Sequence, residues 1–172
     1  MELRQALRTW NGKERAFLLE LYRQYREEAD FIDQLLHLLE RHSDCQRAAS
    51  WLLKHHLEQS ARLATEQVDS LFHCAARLVD WQSRLHLLQM MPRLDLPGAK
   101  RAPIENFVRQ CLTDQARFVR AWAYNGFYLL ASLYPELRPE VERFCQMALH
   151  DEPPSVRARV GEVLKQGYFQ FA

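Results

Sequence analysis

Glycine is scarce in this 172-residue chain, five in all, and long apolar runs are absent. The first scarcity, with apolar residues recurring at i, i+3 and i+4, argues for helices throughout rather than for sheet. The second leaves no stretch long enough to span a bilayer. Met1 to Trp10 mixes Glu2, Arg4 and Arg8 with single apolar residues, so no signal peptide is expected, the expected compartment is the cytoplasm and no membrane contact is expected. An excess of one charge is missing too: 23 basic residues face 22 acidic ones, a net charge of +1. Nothing overall suggests a nucleic-acid or membrane surface as partner. A mild local bias remains between Arg84 and Arg120, with seven basic residues against three acidic. The four cysteines form no CxxC, and the seven histidines form no HExxH. Disulfides, a metal and a cofactor are therefore not expected, and His37, His42 and Cys45 are the one cluster worth testing for a metal. A chain of this length buries roughly 70% of its unfolded surface as one domain.

What is present is a repeat. Asp114 to Ala121 and Asp151 to Ala158 share the phrase Asp-x-x-x-x-Val-Arg-Ala, and Asp80 and Asp44 continue the series backwards at spacings of 34 and 36 residues. Such a stride is that of stacked helix pairs. The spacing predicts an N-terminal helix within 1–29, with Asn11 and Glu14 as a capping box, and helix pairs over 30–59, 65–91, 99–133 and 138–166, followed by a tail, 167–172. Thr65 is a candidate cap, and Pro103, Pro139, Pro153 and Pro154 suit first-turn positions, where a missing amide proton costs little. Aligned on the aspartates, one core wall comprises His37, His73, Phe107 and Phe144 with Leu38, Cys74, Val108 and Cys145. The facing wall takes the fifth, ninth and thirteenth places after each Asp. The second repeat departs there, with Gln89 and Arg93 at two of the three.

With Asp114 six residues before Arg120 and Asp151 six before Arg157, the chain resembles the HEAT repeats of the armadillo-like solenoids. The resemblance implies an all-α, right-handed α-α superhelix of about four helix pairs plus an N-terminal helix, with these residues as a charged structural ladder between neighbouring units. Ser50 and His86 stand where the first two repeats would carry the Arg, and the period is shorter than the 40 or so residues usual in that family. A tetratricopeptide array has a 34-residue period, but its Trp, Leu-Gly and Tyr pattern is absent.

No catalytic motif is present, so no catalytic residue is assigned. After the core places are removed, the inner face of the second helices carries Trp51, His55, Leu87, Met90, Met91, Tyr124, Asn125 and Tyr128. Aromatic and Met side chains with a polar rim suit a groove for a protein segment. The competing reading is that the N-terminal helix, internal packing or the aromatic tail of Tyr168, Phe169 and Phe171 covers this stripe. The expected function is a non-catalytic scaffold or adaptor for a protein partner. The alternative is a nucleic-acid-binding relative of the HEAT-like DNA alkylation repair glycosylases, with Arg120, Trp122, Tyr124 and Tyr128 making phosphate and stacking contacts. Against it, the two middle repeats place no carboxylate on that face to act as the catalytic acid. Homo-association through the tail is a further expectation.

Overall fold

The computed structural model describes residues 2–166, which leaves the tail and its expected role outside the described residues. These fold into ten α-helices and no strand, and they fall into two compact units, divided after Lys100.

The first unit contains α1 (Leu3–Arg8), α2 (Arg15–Tyr25), α3 (Phe31–Arg41), α4 (Gln46–Glu58), α5 (Thr65–Ala75) and α6 (Trp81–Met90), which continues into a 3₁₀ turn, Met91–Arg93. Helix α1 falls within the expected N-terminal segment but was not anticipated as a separate helix. Gly12 permits the break after it: its φ of +79° is a left-handed conformation that a side chain disfavours. The Asn11 carboxamide accepts from the amides of Lys13 and Glu14, so Asn11 organises the turn instead of capping the helix. Helix α4 packs on α3 and on α6, and α3 packs on α5. Gln46 is buried yet satisfied. It donates to the Leu39 and Arg77 carbonyls at 3.0 and 3.1 Å and accepts from the Val79 amide at 2.9 Å, pinning the end of one helix pair to the connection in the next.

The second unit contains α7 (Arg101–Cys111), α8 (Arg117–Leu133), a 3₁₀ turn (Pro135–Leu137), α9 (Arg138–Asp151) and α10 (Pro154–Leu164). Pro103, Pro139 and Pro154 lie in first turns as expected. Helix α8 packs on α7, α9 and α10. Its buried Val119, Ala123, Phe127 and Leu130 recur at helical spacing along one stripe.

The cap positions of α4, α6, α8 and α10 are Cys45, Asp80, Ala116 and Pro153. Asp80 is itself the cap of α6, accepting from the Ser83 amide at 3.0 Å, whereas Asp114 lies two residues ahead of the cap of α8 and accepts from the Ala116 amide at 2.8 Å. The repeated aspartates are therefore not equivalent, and aligning on them shifts α6 by two residues relative to α8. That shift is why Gln89 and Arg93 fell on core places. Counted from the cap, the buried Ser83 and Leu87 of α6 and Met91 of the turn that continues it correspond to Val119, Ala123 and Phe127 of α8. His37 and His73, expected in the core wall, are exposed, while Leu38, Cys74, Val108 and Cys145 are buried as expected.

Candidate functional site

The corrected register dissolves most of the expected groove. Leu87, Met90 and Met91 are 1%, 1% and 0% exposed and Tyr124 is 5% exposed, so these four are packing residues and not a binding stripe. In the first unit Trp51 and His55 stack at 5.1 Å, beneath helix α2. Arg15 lies over the Trp51 ring at 5.5 Å, and Tyr22 meets His55 edge-on at 4.7 Å. The N-terminal helix thus covers that part of the face. Asn125 and Tyr128 are half-buried, and the Asn125 Oδ1 is buried with no hydrogen-bond partner among the described residues.

Charged pairs occur within each unit, but not between the residues expected. In the second unit Arg120 binds the Glu152 carboxylate at 3.0 Å, and its Nη1 donates to the Asp114 carbonyl at 2.8 Å. Arg84, four residues past the cap of α6 as Arg120 is past that of α8, donates likewise to the Leu78 and Val79 carbonyls. Arg157 shares that place in α10, but it is exposed and makes no salt bridge with Asp151 among the described residues. That expected pairing is corrected. The first-unit pair is Arg47 on Asp80, at 2.9 Å. Burial pushes the Asp80 carboxyl up, but the bonds from Arg47 and from the Ser83 amide outweigh it and hold the group below its ordinary range. In the second unit Arg109 binds Glu105 and Glu140, and Arg101 binds Glu105 and Glu136.

Ser50 and His86, which stand six residues after Asp44 and Asp80, meet each other: Ser50 Oγ and His86 Nδ1 are 2.9 Å apart, and the hydroxyl also lies 3.1 Å from the Arg47 carbonyl. Ser50 is 1% exposed, so no substrate reaches this Ser-His pair. Burial lowers the His86 pKa to about 4 and keeps the ring neutral at pH 7. The cysteines are core residues: all four are buried, and burial raises the Cys74 and Cys145 thiols to about 12. His37 and His42 meet edge-on at 5.7 Å, and among the described residues no group of three or more side chains is placed to hold a metal. An open cleft of about 850 Å³ beside them is lined by Glu2, Glu28, Asp30 and Asp33 with Arg4. Gln34 binds Glu28 and Asp30, and Gln67 binds Asp33.

The second unit also carries a surface the sequence reading missed. Phe118 and Trp122 stand four residues apart on α8 and therefore share a face, and Phe118 is 45% exposed. Each ring carries a guanidinium: Arg117 lies 5.0 Å from the Phe118 centroid, and Arg159 of α10 lies 4.2 Å from that of Trp122. Neither Arg has a carboxylate within salt-bridge distance among the described residues. Glu162, three residues from Arg159, binds Lys165 at 2.9 Å, and the charge of Arg159 also reaches it. The i, i+4 aromatic pair was a signal available in sequence, but nothing there distinguished an exposed pair from a packed one.

Among the described residues no helix is long and apolar enough to cross a membrane. Comparison with family models, with curated proteins and with solved structures gave no match.

Proposed function

We propose that this chain is a non-catalytic protein-interaction module, built from HEAT-like helix pairs of a right-handed superhelix, and that it binds its partner through the exposed face of α8 and α10. The repeat part of this reading is supported by the cap positions Cys45, Asp80, Ala116 and Pro153, which recur every 35 to 37 residues, and by the Arg four residues past the cap in three of those four helices. The function rests on one observation: Phe118 and Trp122 form an aromatic pair on one helix face, each with a guanidinium over its ring, and Phe118 is open to solvent. Large aromatic side chains and Arg contribute disproportionately to the affinity of protein interfaces. Of the four residues of the nucleic-acid reading, Arg120 is bound to Glu152 and Tyr124 is buried, while Trp122 and Tyr128 are half-buried.

The test is affinity capture from nuclease-treated lysate, with wild type and a Phe118→Ala, Trp122→Ala variant of matched helicity as baits. A protein retained by wild type and lost by the variant is the expected result. Identical captures would sink the assignment of the function to this face.

A further inference from the structure

Resting on that reading, we propose that the α8–α10 face takes an acidic protein segment carrying at least one large apolar residue. The second unit uses its arginines in two ways. Arg101, Arg109 and Arg120 are each neutralised by glutamates. Arg117 and Arg159 instead lie over Phe118 and Trp122 and make no salt bridge among the described residues, although Arg159 acts at longer range on Glu162, which binds Lys165. A guanidinium stacked on a ring still presents in-plane N–H donors, in the fork that matches a carboxylate. The face therefore offers two preoriented cation sites beside apolar ring surface, and its complement is a carboxylate pair flanking an apolar side chain.

A phosphate backbone would also satisfy the guanidinium forks, but two observations favour a peptide. The guanidinium positions 4.2 and 5.0 Å from the ring centroids take one face of each ring, which leaves less stacking surface for a base. Residues 101–172 hold nine Lys and Arg against eight Asp and Glu, so this unit lacks the charge excess that backbone binding draws on.

The experiment is selection from a displayed library of random peptides on the full chain, in parallel with an Arg117→Gln, Arg159→Gln variant. Both positions lie on the unit's surface, and circular dichroism verifies that helicity is retained. Selected peptides are then titrated by fluorescence anisotropy, each beside a counterpart with Asn and Gln for Asp and Glu, and beside a single-stranded thymidine oligonucleotide. The expected result is enrichment of sequences with Asp or Glu around Leu, Phe or Trp. Their binding should weaken about tenfold or more in the double variant, in the neutral counterpart and on raising salt. Enriched peptides without acidic residues would overturn this inference while leaving a protein-binding role for the face intact. Peptides held equally by both proteins would remove the face itself, recovery of no peptide would count against the interaction function as a whole, and tight oligonucleotide binding lost in the double variant would replace the acidic segment with nucleic acid.

Discussion

Asp80 does two jobs with one carboxylate, and the choice of replacement separates them. One oxygen accepts from the Ser83 amide at 3.0 Å as the cap of α6, and the other accepts from Arg47 at 2.9 Å. An Asn can cap but carries no charge, so Asp80→Asn is expected to cost about 1 kcal/mol and Asp80→Ala about 2–3 kcal/mol, the difference being the cap. Urea titration of the two variants checks this, and equal losses would mean that the cap contributes nothing. Met91 gives a contrasting case, because an open groove would tolerate its truncation. At 0% exposure, Met91→Ala is expected to cost about 2–5 kcal/mol, read as a fall in the melting temperature; an unchanged melt would restore the groove. His86 predicts acid sensitivity. Its pKa is about 4 in the folded chain against roughly 6.5 unfolded, so the unfolded chain takes up the proton first as pH falls. The stabilisation from keeping this ring neutral is complete above about pH 6.5 and is lost progressively toward pH 4, by about 3 kcal/mol in all. In His86→Gln the part of the acid-limb slope due to this group should disappear, and an unaltered slope would refute the assignment.

Helix α2 is held to α4 through rings that must stay neutral. Tyr22 Oη lies 3.1 Å from His56 Nδ1, and the Tyr22 ring meets His55, His56 and Phe31 edge-on. Burial first, and then Arg15 and Lys54, lower the His55 pKa against the pull of Glu58. For His56 the causes are burial, His55 and Arg26, against Glu27. Arg93, in the 3₁₀ turn after α6, acts on Glu58. Both shifts are downward, so docking is complete above the ordinary histidine range and weakens as pH falls through and below it. Hydrogen exchange corrected for intrinsic rates should show α2 losing protection at pH 5 before α3 and α4 do, with His56→Gln reducing the effect. Opening of α2 that is independent of pH would dispose of the idea. The same packing explains why Trp51 and His55, chosen as groove residues from spacing, are covered: a helical face with apolar and aromatic residues attracts whichever element reaches it first.

At the scale of the whole molecule the charge is almost balanced, with a net charge of +1 and an isoelectric point near 7.8. With so little net repulsion between copies, solubility at low salt should be lowest near pH 7.8 and recover at pH 9, where excess negative charge accumulates. Light scattering across that range is the measurement, and a flat profile would contradict it. Within each unit the charges are organised locally. Arg47 with Asp80, Arg109 with Glu140 and Arg120 with Glu152 join residues 31 to 33 positions apart, roughly one repeat, so the pairs tie successive helix pairs together.

The sequence by itself determined that the chain is helical, where nearly every helix lies and which apolar positions form most of each core. Helical periodicity and proline placement are local properties, and local chemistry fixes them. It did not determine the register of the repeats. Asp80 caps α6 while Asp114 sits two residues ahead of the cap of α8, and a carboxylate can satisfy a helix start from either place. Two residues rotate a helix by about 200°, enough to carry Leu87 and Met91 from an assumed surface into the core. Tertiary packing also decided which aromatics stay exposed. Tyr124 and Phe118 are both apolar-bodied residues on α8, yet one is 5% exposed and the other 45%, because burial depends on neighbours distant in sequence that no spacing within α8 records.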